Sequence, residues 1–168
     1  MAAGSPSTVE WAAQRLIGML SSSGSPDNIR RKWDAYREAA RAAGHAEAEI
    51  EAALGRSWVV KHVYVADDDA TAEREAGPAF IWFFKLLANR RMFDGPLEPH
   101  PLEWWQEHGA CYFGSPATVA SKLREWQEES GVTNTLCWMN TGGMPTDLVL
   151  NSVRLFGDRV IPALRRDA

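Results

Sequence analysis

Ser5 and Thr8 stand one helical turn apart in Gly4-Ser5-Pro6-Ser7-Thr8-Val9-Glu10-Trp11, where an apolar helical pattern begins. Two hydroxyls at a helix start lie beside free backbone N–H groups and the positive end of the helix dipole. Together these can wrap a phosphate. The same residues also suit plain capping, with Ser5 as N-cap and Pro6 at the first helical position. Gly-Ser-Pro recurs at Gly24-Ser25-Pro26 and Gly114-Ser115-Pro116, each time ahead of an apolar periodic run. The chain therefore uses the device structurally, and on residue types alone capping comes first.

Other chemistry finds less support. The histidines His45, His62, His100 and His108 share no metal-ligand spacing. A lone His on a strand is expected to be a satisfied structural residue. Asp67-Asp68-Asp69 follows a strand and precedes a helix, so it is expected to cap that helix and oppose its dipole rather than bind a metal. Cys111 and Cys137 sit in apolar contexts and read as buried free thiols. No Gly-x-Gly-x-x-Gly, no phosphate-loop motif and no Ser/His/Asp arrangement can be singled out. Gly142-Gly143 follows a strand, and either approaches a ligand or makes a tight turn.

The elements that position these residues alternate. Val9, Ala12, Ala13 and Leu16 form the buried stripe of a first helix, and 17–20 is a short buried strand. A second helix from Ser25-Pro26 carries Ile29, Trp33, Tyr36 and Ala40 on one face and ends at Gly44. A helical turn spans 48–54. Residues 58–66 are the best strand, rich in β-branched and aromatic types. The next helix runs to about Asn89, with a break or kink expected at Gly77-Pro78. Residues 90–113, with three prolines and Trp104-Trp105, are expected to form an irregular lid. A helix from Ser115-Pro116 uses Val119, Leu123 and Trp126, and Gly131 closes it. A strand over 134–140 and a last helix through Val149, Val153, Phe156 and Val160 complete the chain. Strand–helix alternation implies a parallel sheet. About three strands fit either a small open sheet or an arc of a (β/α)8 barrel.

The 168 residues suffice for one core and one domain over 1–168. Hydrophobic content of 45% and charged content of 24% suit a soluble globular protein. A net charge of −4 with scattered Lys and Arg gives no reason to expect nucleic acid or an anionic membrane as partner. The longest apolar stretch, 80–88, carries Lys85 and is too short to span a bilayer. No targeting signal is visible, and the expected compartment is the cytoplasm. The eight Trp read as core and interface packing.

Several segments, in order, resemble the bacterial luciferase-like flavin-dependent monooxygenases. Gly4 to Ala13 is similar to the segment that binds the flavin phosphate in that family. Tyr36-Arg37-Glu38-Ala39-Ala40 with Ala43-Gly44-His45, and Val63-Tyr64-Val65-Ala66-Asp67, match in between. Gly114-Ser115-Pro116-Ala117-Thr118-Val119, then 131–135, 142–145 and Leu155-Phe156 with 160–165, resemble its end.

The resemblance covers essentially the whole chain but only the C-terminal half of the family. It implies half of a (β/α)8 TIM barrel with the N-terminal half missing. It also implies FMN bound at the C-terminal face, with Gly4, Ser5 and Thr8 at the phosphate. Reduced flavin would come from a separate reductase, and O2 and a small organic substrate would be consumed; related members use a deazaflavin. Residues 90–113 would correspond to the mobile loop over the site. No catalytic residue carries over, because the family's substrate side belongs to the absent strands. Leu16 stands where a glycine is usual, and Gly157 where a helix former is. A lone half-barrel is expected to be inactive and to self-associate through open sheet edges. The alternatives are a non-catalytic fragment or a half that complements another chain.

Overall fold

The computed structural model describes residues 1–2, 4–22, 24–89 and 100–166. Among them run α1 (Pro6–Ala13), β1 (Leu20–Ser21), α2 (Pro26–Ala42), α3 (Glu47–Leu54), β2 (Trp58–Val65) and α4 (Asp69–Asn89). Then follow α5 (Leu102–Glu107), β3 (Cys111–Gly114), α6 (Pro116–Ser130), β4 (Thr135–Trp138), α7 (Thr146–Leu155), a π-helical turn (Phe156–Val160) and α8 (Ile161–Arg166). The architecture is α/β. β1 and β3 each run parallel to β2, and β4 also pairs with β2. No described helix is long and apolar enough to cross a membrane.

The chain divides into two compact units. The first comprises Met1–Lys61 and Glu125–Cys137. Its sheet registers Leu20 on Trp58 and Ser21 on Val59, and the Val59 N–H donates to the Asn134 carbonyl at 3.1 Å. Most of the stripes read from the sequence are its core: Val9, Ala12 and Ala13 of α1 are buried, with Ile29, Trp33, Tyr36 and Ala40 of α2, whereas Leu16 lies past the end of α1 and is half-buried, and the strand expected over 17–20 is Leu20–Ser21. The Tyr36 hydroxyl donates to the Ile17 carbonyl at 3.2 Å. Gly44 ends α2 with φ +88°, and the His45 N–H reaches back to Ala40. α1 ends in the same way, with Ile17 N–H on Ala12 and Leu16 N–H on Ala13. Its left-handed position is Leu16, at φ 51°, so a residue with a Cβ occupies a conformation costing about 1–2 kcal/mol.

The second unit comprises His62–Arg124 and Trp138–Ala168. Here the end of β2 pairs with β3, His62 opposite Cys111 through Val65 opposite Gly114. The core gathers Tyr64, Ala72, Ala76, Phe80, Cys111 and Phe113, with Phe84, Leu102 and Trp105 against it.

Two expectations are corrected in this unit. The irregular lid over 90–113 is only partly so: 102–107 is helix and 111–114 is a fully buried strand, while 90–99 lies outside the described residues. Cys-Tyr-Phe-Gly is too short to show a period, and the prolines before it mask its boundary. Of the break or kink expected at Gly77-Pro78, the break does not occur, since α4 stays helical across it. Gly77 serves packing instead: a Cβ there would sit 2.9 Å from Leu102 Cδ2. In the last helix, Gly157 falls in the π-helical turn.

Candidate phosphate site

α1 begins where the first Gly-Ser-Pro predicts. Ser5 is extended (φ −105°, ψ 157°), and its Oγ accepts the Thr8 N–H at 3.3 Å while its carbonyl accepts the N–H groups of Thr8 and Val9. The Thr8 hydroxyl lies 2.8 Å from Ser5 Oγ, and Ser7 Oγ lies 3.0 Å from it on the other side. Three hydroxyls therefore crowd one helix start. Gly4 precedes them with nothing within 4 Å of where its Cβ would be, and its conformation does not demand glycine. Space beside the hydroxyls is thus kept clear.

That space opens into a cleft of about 510 Å³ between α1 and α2. Gly4, Ser5, Pro6, Val9 and Glu10 line one side; Asn28, Arg31, Lys32, Ala35 and Glu38 are among those lining the other. Burial holds the Lys32 amine below its ordinary value, so an anion brought to it relieves an electrostatic cost. Arg31, Lys32 and Asn28 escape a search for motifs. The signal available was three adjacent bases, Arg30-Arg31-Lys32, in the opening turns of the helix that follows the second Gly-Ser-Pro.

The third Gly-Ser-Pro repeats the first in detail, and there an anion is bound. Ser115 Oγ lies 2.9 Å from the Thr118 hydroxyl and accepts the Thr118 N–H at 3.3 Å. Asp69 Oδ1 accepts the Ser115 N–H at 2.7 Å, and Asp69 Oδ2 accepts the Thr118 hydroxyl at 3.1 Å. The Ser115 N–H, and after it the Thr118 hydroxyl, hold the Asp69 carboxyl below its ordinary range. A Cβ on Gly114 would come within 2.8 Å of Asp69 Oδ1. Two of the three aspartates thus divide the work. Asp68 caps α4 through the Thr71 N–H (2.8 Å) and hydroxyl (2.9 Å), and Asp69 caps α6.

The remaining candidates separate cleanly. His62 departs from expectation: it is 5% exposed, yet its Nδ1 has no hydrogen-bond partner among the described residues. The ring stacks on Trp138 at 5.1 Å and meets Phe80 and Phe84 edge-on, and burial pushes its pKa down to about 4. Cys111 and Cys137 are free thiols, and burial raises Cys137 to about 11, which makes it a poor nucleophile. Gly142 and Gly143 have φ of +44° and +77°, the geometry of a tight turn. No group of three potential metal ligands occurs among the described residues.

A parallel α/β sheet with an open cleft beside a helix N-terminus is shared by many unrelated proteins. The comparisons narrow that set. A model of the luciferase-like monooxygenase family matches residues 1–134, and the chain belongs to that family. Among solved structures, the oxygenating constituent of 3,6-diketocamphane monooxygenase from Pseudomonas putida, in complex with FMN, is 25% identical with a TM-score of 0.69. The match covers 94% of this chain and 45% of that one. Monooxygenase RslO1 from Streptomyces bottropensis is 20% identical (TM-score 0.68, 96% and 46% covered) and shares the fold. So does the coenzyme F420-dependent tetrahydromethanopterin reductase from Methanopyrus kandleri (18%, TM-score 0.61, 98% and 50%). The chain spans about half the length of these relatives. No curated protein matches it.

Proposed function

We propose that the chain binds the phosphate of a flavin at Gly4, Ser5 and Thr8, as part of a flavin-dependent oxidoreductase that oxygenates a small organic substrate with O2. One observation carries the reading: the same Gly-Ser-Pro-x-Thr turn, used a second time in this chain, holds a carboxylate, whereas the first opens onto a cleft. Its donors suit a phosphate. The Ser5 hydroxyl, which lines the cleft, would face the oxygens with the Thr8 and Ser7 hydroxyls hydrogen-bonded to it, and Arg31 and Lys32 would balance the charge. Val9, Ala35 and Ala39 would give the cleft an apolar wall. Bound there, reduced flavin supplies the electrons for O2 chemistry. The reading brings with it a separate flavin reductase and a cytoplasmic setting, and a deazaflavin is the alternative cofactor. No residue of this chain is assigned to the oxygenation itself.

Riboflavin lacks the phosphate and is therefore the control. FMN should bind the chain more tightly than riboflavin. Ser5→Ala/Thr8→Ala should weaken FMN by roughly 1–3 kcal/mol, the scale for hydrogen bonds to a charged group, and leave riboflavin unchanged. An FMN-to-riboflavin ratio that the double substitution does not alter refutes the site.

A second reading has one observation in its favour. β4 leaves Leu136 41% and Trp138 42% exposed, so a non-catalytic half that pairs with another chain, or with itself, would have apolar surface to cover. Light scattering tests it. A monomer at all concentrations, with FMN bound, counts against it.

A further inference from the structure

We propose that the outer face of α7 and the turns after it is a docking surface for a second copy of this chain, which lies antiparallel across it about a two-fold axis. The inference is independent of the flavin reading. It deepens the self-pairing reading by placing the contact on a helix face instead of on β4. Ser152, Leu155 and Val160 turn inward and are buried. Leu150, Val153, Arg154, Gly157 and Asp158 are all exposed and recur at i, i+3, i+4, i+7 and i+8, the spacing of one helix face. At its apolar centre Leu150 is 63% and Val153 45% exposed.

The charges along this face select the occupant. Asp147, Arg154, Asp158 and Arg165 are exposed, and none of them makes an ion pair within the chain among the described residues. Arg154 donates to the neutral Asn151 Oδ1 at 2.7 Å. Set side by side in the same direction, two copies would oppose Arg154 to Arg154 and Asp158 to Asp158, which repel. Set antiparallel with Gly157 of each near the axis, Arg154 faces the partner's Asp158 and Asp147 faces the partner's Arg165. Leu150 then lies over the partner's Ile161 and Pro162. Each contact occurs twice, as an isologous interface requires. Gly157 fits the crossing point. A Cβ there would meet nothing within 4 Å inside the chain, and its φ is not left-handed, so neither packing nor the turn requires glycine. Its bare surface lets two helix axes approach closely. One helix a side is a small interface, at or below the ~1,200 Å² at which stable ones begin, so the dimer belongs to the weak, micromolar class.

Sedimentation equilibrium on the full chain tests this. Across concentrations from about 1 to 100 μM the protein should follow a monomer–dimer equilibrium. Leu150→Lys should weaken it at least about tenfold with an unchanged circular dichroism spectrum. Arg154→Asp alone and Asp158→Arg alone should each weaken it about tenfold, because each makes both pairs at the axis repulsive. An equimolar mixture of those two variants should dimerise about as well as the original chain, since acidic 154 and 158 then face basic 158 and 154. A helix merely stabilised from within would show no such rescue. If Leu150→Lys does not fold, Val153→Lys takes its place. A chain that stays monomeric throughout overturns the proposal. So does association that survives Leu150→Lys and both charge reversals, the result expected if copies meet at β4, and so does a mixture that associates no better than its components. None of these residues lines the phosphate cleft, so failure here leaves the flavin reading standing.

Discussion

Acidification from pH 7 to pH 4.5 should weaken the folded protein by an amount that can be assigned to His62. The ring is enclosed by Phe80, Phe83, Phe84 and Trp138, and burial lowers its pKa from 6.5 to about 4. In the unfolded chain it takes up a proton as the pH falls below 6.5; in the folded chain it does not until about 4. Across that window the unfolded state binds more protons, so stability falls as pH falls. The contribution is whole above pH 6.5 and lost on approach to pH 4. At 1.36 kcal/mol per pKa unit, the loss by pH 4.5 is about 2–3 kcal/mol. His62→Phe removes the titration. It also removes the unpartnered Nδ1, a gain of about 1–3 kcal/mol set against the strain of a bulkier ring, of similar size. The two proteins should therefore be close in stability at pH 7. At pH 4.5 the difference should have shifted by about 2–3 kcal/mol in favour of the variant. Urea unfolding, followed by tryptophan fluorescence at several pH values, measures both. A difference between the two proteins that is the same at pH 7 and pH 4.5 would refute the reasoning.

Other expected outcomes test other contacts. Lys32→Ala should weaken FMN by roughly tenfold and flatten the salt dependence of its binding, measured by titration at two ionic strengths. Gly114→Ala should destabilise by about 1–3 kcal/mol in urea, because its Cβ displaces the Asp69 carboxylate from two hydrogen bonds. Gly18→Ala should cost a similar amount, about 1–3 kcal/mol, since its Cβ would meet the Arg56 carbonyl at 2.9 Å and backbone must move. At Leu16, replacement by Gly should relieve about 1–2 kcal/mol of left-handed strain. It should lose about as much in chain entropy and packing, leaving the thermal midpoint nearly unchanged.

What the sequence makes legible is local. The stripes Val9/Ala12/Ala13 and Ile29/Trp33/Tyr36/Ala40 follow a helical period and are buried as read, and Gly44 ends its helix where the rule puts it. β2 is plain because six of its eight residues are β-branched or aromatic β-formers. β3 escapes because four residues carry no period and stand behind a proline-rich stretch. Gly77-Pro78 misleads because a helix breaker in sequence can be a packing notch in space, filled here by Leu102. The phosphate turn is half legible. Ser5 and Thr8 are visible as a motif, but Arg31 and Lys32 join the cleft only once α2 lies beside α1. Asp69 shows the same limit: its charge and its place at a helix start are in the sequence, whereas the residue it holds, Ser115 ahead of α6, stands 46 positions later.

The close of β2 shows how one side of a strand is finished when its neighbour ends first. Alternate N–H groups of a strand point to opposite sides. The Ala66 N–H goes to Gly114 of β3 at 3.1 Å, and the Val65 N–H, facing the other way, donates to Ser152 Oγ of α7 at 2.8 Å. Ser152 is fully buried, and the nearby Tyr64 hydroxyl donates to Glu75 at 2.8 Å and to the Leu148 carbonyl at 3.4 Å. β4 pairs along that same side of β2, where the Val59 N–H meets the Asn134 carbonyl, so the Ser152 hydroxyl takes up at Val65 the role of a next strand carbonyl. The helix that follows β4 thus finishes in one oxygen atom the ladder that β4 begins, and Ser152→Ala would leave the Val65 N–H buried without its acceptor.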